Sequence, residues 1–92
     1  MIYVVERYLA GLERGELLNG LRRLQKSTQQ AAHDTAPVRY LGSTIVISDD
    51  ACYCKFEAPS PAAVIDVNSR VGLPVDRIVA AVAVTPTRGA PR

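Results

Sequence analysis

The chain has 92 residues, of which 48% are hydrophobic and 22% charged, so it is long enough for one globular domain, too short for two, and too apolar to be disordered. Its formal net charge of +2 comes from scattered basic residues; only Arg22, Arg23 and Lys26 cluster, and without an aromatic stacking platform this cluster does not predict nucleic-acid binding. No apolar run is long enough to span a membrane, and Met1 leads directly into a strand pattern without a signal peptide, so we expect a cytoplasmic protein with no membrane partner.

The first third of the chain predicts a strand followed by a helix. Residues 2–8 are rich in β-branched and aromatic side chains, as strands are. Leucines then recur at helical spacing, with charged and polar residues on the other face, and they predict a helix over about residues 13–33. Gly20 lies inside this helix, where a glycine costs about 1 kcal/mol relative to alanine. The leucines are Leu17, Leu18, Leu21 and Leu24.

A β-hairpin is predicted next. Pro37 cannot continue a helix, and it favours an extended conformation for the residue before it. Residues 38–48 and 52–58 then carry strand-forming side chains on either side of a tight turn at Asp49 and Asp50.

The second helix has the clearest boundaries in the chain. Ser60 suits the N-cap, Pro61 the first helical position, and Gly72 the residue after the helix end. An almost entirely apolar strand follows over residues 77–84. Residues 85–92 contain two prolines, a glycine and two arginines, and we expect them to form a flexible C-terminal tail.

Strand, helix, hairpin, helix and strand is the order of the ferredoxin-like β-α-β-β-α-β fold, an α+β arrangement. We expect residues 1–84 to form one such domain, with a four-stranded antiparallel sheet and both helices on one face, because β-α-β crossovers are right-handed. Both faces of the last strand are apolar, so the second sheet face also needs a cover, and we expect a homodimer that packs sheet against sheet. The two faces carry Ile78, Ala80, Val82 and Val84, and Val79, Ala81 and Ala83.

Cys52 and Cys54, the two cysteines of the chain, share a strand face with Phe56. Positions i and i+2 of a strand lie about 6.5–7 Å apart with parallel side chains, at the upper limit for a disulfide, so we expect two free thiols. Two interpretations stay open. The cysteines are small buried hydrophobic residues, or they form a soft-metal or reactive-thiol site, since a thiolate is a strong ligand for nickel, zinc and copper.

Charged or titratable side chains also stand at Glu6, Arg7 and His33. Because Glu6 and Arg7 alternate on one strand, one of them faces a covered surface and needs a partner. That partner is Arg39 for Glu6 or Glu57 for Arg7; otherwise Glu6 lines a pocket. His33, the only histidine, falls near a helix C-terminus, where the helix dipole favours a solvated cation over a metal ligand. The sequence contains no nucleophile–base–acid motif or phosphate loop, and we predict no catalytic residue.

Four segments of the chain, taken in order, carry a family resemblance: YVVER at 3–7, VRYLGS at 38–43, CKFEAP at 54–59 and GLPVDRI at 72–78. Their order and spacing resemble a family of small bacterial ferredoxin-like proteins described as nickel-binding. The resemblance covers about residues 2–84. It implies a ferredoxin-like fold, a dimer, and nickel held by nitrogen, oxygen and sulfur ligands. The metal ligands that it implies in this chain are Cys54, Glu6 and Glu57.

The chain departs from this family at two positions. Members with a metal site tend to have a histidine beside the serine of the second strand, where this chain has Gly42. They tend to have another in the second helix, where Val67 or Asn68 stands. Imidazole is the expected nitrogen ligand for nickel, so we expect nickel, the one cofactor that the resemblance implies, to be bound weakly.

The leading hypothesis is a small dimeric ferredoxin-like protein with a transition-metal affinity centred on Cys54. The alternative is a dimeric α/β-barrel protein that binds a small apolar ligand or acts as a small enzyme. A third hypothesis is a structural or regulatory partner module.

Overall fold

The strands and helices follow one another in the predicted order, β-α-β-β-α-β. A computed structural model of the chain describes residues 1–8, 14–31, 37–84 and 86. A short 3₁₀ turn, Ile47–Asp49, joins the two strands of the hairpin. The elements are β1 (Ile2–Tyr8), α1 (Arg14–Ala31), β2 (Arg39–Val46), β3 (Ala51–Glu57), α2 (Pro61–Arg70) and β4 (Arg77–Ala81).

Two of the predicted strands end earlier in the structure. β2 ends at Val46, because the chain enters the 3₁₀ turn there and leaves it at Asp50 in the left-handed conformation (φ 47°). β4 ends at Ala81, where its pairing with β1 stops at Ile2. Val82 and Val84 therefore lie beyond the sheet and are 86% and 89% exposed. Apart from Pro86, the predicted tail lies outside the described residues, as do the last two positions of the predicted first helix.

The four strands form one antiparallel sheet in the order β2-β3-β1-β4. β1 lies between β3 and β4, with Val5 opposite Cys54 on one side and Ile78 on the other. β2 is an edge strand, and its pairing with β3 shifts register between Tyr40 and Gly42. This shift is a β-bulge, and Gly42 adopts a φ of +121°, which favours glycine.

Both helices cover one face of the sheet, and the core lies between the two layers. The buried side chains of α1 and α2 form one cluster with those of β1 and β3. Phe56 and Leu24 are fully buried, and burial of each contributes about 1.5–3 kcal/mol. The cluster includes Tyr3, Val5, Leu17, Leu24, Cys52, Cys54, Phe56, Val64 and Val67.

The glycines and the cap of the helices have clear structural roles. The Ser60 side chain accepts a hydrogen bond from the Ala63 backbone N–H at 3.2 Å, and Pro61 follows at the first helical position, as predicted. Gly72 ends the turn after α2 with a φ of +71°. A Cβ at Gly20 would lie 2.8 Å from Leu73 Cδ2, so the glycine in α1 allows Leu73 to pack closely.

The other face of the sheet carries a mixed surface. Ile2, Val4 and Val79 are half-buried there. Glu6 pairs with Arg77 at 3.3 Å, and Arg39 pairs with Glu57 at 3.0 Å.

The strand register corrects the two pairings expected for Glu6 and Arg7. Glu6 lies opposite Arg77, while Glu57 lies opposite Arg39. Arg7 faces the helices, away from Glu57, and has other partners. Neither of the helices in the described part of the chain is long and apolar enough to cross a membrane.

Candidate functional site

The two cysteines lie side by side under the helices. Cys52 and Cys54 are free, fully buried thiols on the same face of β3, and their Sγ atoms are 3.6 Å apart. Cys54 Sγ is also 2.8 Å from Ser43 Oγ, and the Ser43 hydroxyl is hydrogen-bonded to the Tyr40 hydroxyl. We call Arg7, Tyr40, Ser43, Cys52 and Cys54 the Cys54 cluster.

Arg7 brings a positive charge into this layer. Its side chain is fully buried. Nη1 donates to the Pro74 carbonyl oxygen and Nη2 to Asn68 Oδ1, both at 2.8 Å. Asn68 is in turn held by a 2.8 Å hydrogen bond from Nδ2 to the Val64 carbonyl oxygen. Arg7 Nε has no hydrogen-bond partner, and no carboxylate of the described residues pairs with this guanidinium.

The neighbours of Cys54 favour its thiolate. The hydrogen bond from Cys52 lowers the pKa of the Cys54 thiol to about 6, against burial, which raises it. The positive charge of Arg7 and the hydrogen bond with Ser43 also contribute to this lowered value of the pKa. The same hydrogen bond to Cys54 raises the pKa of Cys52, so Cys52 keeps its proton. Cys54 is therefore the cysteine of the pair that ionises first.

The cluster extends from the interior to the edge of the sheet. The register places Ser43 opposite Cys54 and Tyr40 opposite Phe56, so all four side chains point to the helix face. Because β2 is an edge strand, Ser43 remains exposed although Cys54 beneath it is not. The Tyr40 ring packs on Phe56 with a centroid distance of 5.5 Å, and burial raises the pKa of its phenol. A thiolate is thus separated from solvent by two hydroxyl-bearing side chains.

The three predicted metal ligands do not come together within one chain. Cys54 lies on the helix face of the sheet. Glu6 and Glu57 lie on the opposite face, in ion pairs with Arg77 and Arg39. Among the described residues, no group of three His, Cys, Asp or Glu side chains is arranged to hold a metal ion. His33 lies outside the described residues.

Arg7 and Asn68 were not predicted as site residues, although the sequence held a signal for each. Arg7 follows Tyr3 and Val5 at a spacing of two, so it shares their face of β1. Asn68 is four residues after Val64, within the apolar stripe of α2. A polar residue on an apolar face is buried and needs a partner, and here each is the partner of the other.

Comparisons with known proteins agree with this fold. A family model described as "Nickel responsive protein SCO4226-like" matches residues 3–80. The crystal structure of SCO4226 from Streptomyces coelicolor A3(2) superposes with a TM-score of 0.74 at 17% sequence identity, over 92% of this chain and 100% of that chain. At this identity the structural likeness establishes the fold alone. No curated protein matches the chain.

Proposed function

Because the chain belongs to the SCO4226-like family of nickel responsive proteins, we propose that it is a homodimeric ferredoxin-like protein that acts through the Cys54 thiolate and holds nickel only weakly. The observation that carries this proposal is the contact of the buried Cys54 thiol with the Cys52 thiol and the Ser43 hydroxyl, on the sheet face that also buries Arg7. A thiolate is the form of cysteine that binds metals and reacts as a nucleophile.

The residues around Cys54 do not fit nickel. Among the described residues, the donors within reach are the Cys52 sulfur and the hydroxyls of Ser43 and Tyr40, and none of them is an imidazole. The charge of Arg7 opposes a second cation in the same buried layer. The chain also has Gly42 at one family histidine position, and the φ of +121° there strains any L side chain. At the other family position stands Val67, which has no donor atom in its side chain, or Asn68, which is occupied by its hydrogen bond to Arg7.

Support for the homodimer comes from the open face of the sheet. Ile2, Val4, Val79 and Ala81 form a half-buried apolar patch across β1 and β4. Such a patch loses contact with water when a second copy packs on it sheet to sheet. We expect the interface to bury at least about 1,200 Å² in total, the lower range of stable complexes.

The alternative, a small-molecule binder of the α/β-barrel type, has less support. A cleft of about 310 Å³ lies between α1 and the segment after α2, and one of about 200 Å³ lies between α1 and β2. These volumes are at or below the lower limit of small-molecule sites. Their linings include Glu16, Asn19 and Arg23 in one, and Gln25, Thr28 and Gln29 in the other, which does not suit an apolar ligand.

Thermal unfolding with and without nickel tests the proposal. We expect tag-free protein to purify with substoichiometric nickel and to show little rise in Tm at millimolar nickel, because ligand stabilisation grows with the logarithm of concentration over Kd. Cys54→Ser and the matched variant Cys52→Ser should behave alike in this assay. A large nickel-dependent rise in wild type that is lost only in Cys54→Ser would overturn the claim of weak binding.

A further inference from the structure

Beyond any role of nickel, we propose that Cys52 and Cys54 form a reversible dithiol switch. A hydroperoxide oxidises Cys54, and Cys52 then closes an intrastrand disulfide with it. The inference depends on the distance between the two sulfurs, on the buried charge of Arg7 and on the exposed Ser43 above them.

The first argument is charge compensation. A buried guanidinium is costly unless an anion balances it, and the hydrogen bonds of Arg7 go to a neutral amide and a carbonyl oxygen. Arg7 Nε is left without a partner in the described structure. Arg7 lies opposite Cys52, and the Cys54 sulfur is in contact with the Cys52 sulfur, so this dithiol is the acidic group that lies on the same buried face as the guanidinium. The Arg7 charge in turn stabilises Cys54 in its nucleophilic form.

No other described group near Cys54 takes over this role. β3 contributes Cys52, and β2 contributes Tyr40 and Ser43, of which Tyr40 stays protonated because burial raises its pKa. α2 contributes Asn68, which does not titrate. The ionisable side chains of α1 are exposed to solvent in the described part of that helix: Arg14, Glu16, Arg22, Arg23 and Lys26.

The second argument is access. Ser43 is exposed on the edge strand, and its hydroxyl is the group that touches Cys54 Sγ from the solvent side. The switch requires this one small side chain to rotate away so that a small hydroperoxide reaches the sulfur. The Tyr40 hydroxyl is hydrogen-bonded to Ser43, and the Tyr40 ring packs on Phe56.

The reaction balances with the hydroperoxide as the only oxidant. The Cys54 sulfur attacks one peroxide oxygen and the O–O bond breaks. The departing oxygen takes up a proton from solvent and leaves as water or an alcohol, and Cys54 becomes a sulfenic acid. The Cys52 sulfur then attacks the Cys54 sulfur, and the hydroxyl leaves with the Cys52 proton as water. Two thiols are oxidised by two electrons to one disulfide, and the hydroperoxide is reduced.

The distance between the sulfurs explains why such a disulfide is reversible. The Sγ atoms are in contact at 3.6 Å, and a disulfide of about 2.05 Å requires them to approach by about 1.5 Å. Positions i and i+2 of a strand hold the two backbones near the upper limit for this bond. The bond therefore forms under strain, and a strained disulfide is readily reduced by small thiols.

Intact mass after peroxide treatment tests the proposal on chelator-treated full-length protein, so that nickel plays no part. Wild type should lose two hydrogen atoms and regain them with dithiothreitol. Cys52→Ser should instead gain one oxygen on Cys54 and react with dimedone, a probe for sulfenic acid. Cys54→Ser should remain unmodified at the same peroxide dose. The inference is wrong if wild type gains oxygen without losing hydrogen, or if Cys54→Ser is oxidised as fast as wild type.

Two arginine variants test the part played by Arg7. Arg7→Met keeps the volume and removes the charge, and we expect oxidation of Cys54 to slow at least severalfold. Arg77→Met, on the opposite face of the sheet, is the matched control and should leave the rate unchanged. If Arg7→Met does not fold, Arg7→Gln, which also removes the charge but keeps a side-chain donor, replaces it. An oxidation rate in the folded neutral variant equal to that of wild type would refute the assistance of Arg7.

Discussion

Arg7 and Cys54 are the residues at which the interior departs most from an apolar core. Each is fully buried, and each has a polar atom that an apolar environment penalises. The hydrogen bonds of the Arg7 guanidinium go to Asn68 and to the Pro74 carbonyl oxygen. Loss of a hydrogen-bond partner leaves a buried polar group unsatisfied and costs about 1–3 kcal/mol, so Arg7 and Asn68 are sensitive to substitution.

A dependence of stability on pH follows from the two cysteines. The folded pKa of Cys54, about 6, lies below the ordinary thiol pKa. The contribution of Cys54 to the free energy of unfolding is therefore full above the ordinary thiol pKa and is lost as pH falls towards 6. The raised pKa of Cys52 has the opposite effect. The contribution of Cys52 to the free energy of unfolding is lost as pH rises above the ordinary thiol pKa. We therefore expect the extra stability of wild type over Cys54→Ser to be greatest near the ordinary thiol pKa, about 8.5.

Urea unfolding at a series of pH values measures this difference. Thr44→Ala, exposed on the opposite face of β2, is the control and should track wild type at every pH. A wild-type minus Cys54→Ser difference that stays constant from about pH 6 to 8.5 would contradict the thiolate assignment.

At the scale of elements, α2 is the helix that local residues define best. Ser60 accepts from the Ala63 backbone N–H, and Gly72 supplies the positive φ after the helix end. α2 also positions Asn68 against Arg7, so its stability affects the Cys54 cluster.

Loss of the Ser60 cap should therefore destabilise the protein. We expect Ser60→Ala to lower the free energy of unfolding by about 1 kcal/mol, because an N-terminal N–H group of the helix loses its acceptor. Ser69→Ala, at an exposed position near the other end of α2, should change it by less than about 0.5 kcal/mol. Equal effects of the two substitutions in urea unfolding would show that the cap contributes nothing.

At the scale of the whole molecule, the two faces of the sheet differ in what covers them. The helices bury the face that carries the Cys54 cluster, while the face with Val4 and Val79 remains half-buried in the single chain. The proposed dimer leaves the helix layer free and covers the second face. Ser43, on the helix side of an edge strand, would then stay accessible in the dimer.

Sedimentation measures this assembly. We expect wild type to sediment at micromolar concentration with twice the chain mass of 9.9 kDa. Val79→Lys should shift it to a monomer, because a charge at the centre of an apolar interface is costly to desolvate. Ile65→Lys, at an exposed site on α2, is the control and should remain dimeric. A wild-type monomer with native circular dichroism would refute the homodimer.

The sequence by itself determined the order of elements, the boundaries of α2 and the family. These features depend on signals within a few neighbouring residues, such as Ser60 with Pro61, or on apolar side chains at a fixed period. The four segments that carry the family resemblance also predicted the family whose model matches residues 3–80.

Only the tertiary structure decided which polar groups meet. Arg7 donates hydrogen bonds to Asn68 and Pro74, which lie 61 and 67 positions further along the chain. No local sequence pattern encodes a contact of that range. Strand register set the partners of Glu6 and Glu57 and placed both on the face opposite Cys54. Alternation along β3 already separates Glu57 from Cys54, but the face of Glu6 relative to Cys54 depends on how β1 pairs with β3, and a shift of one residue in that register would reverse it.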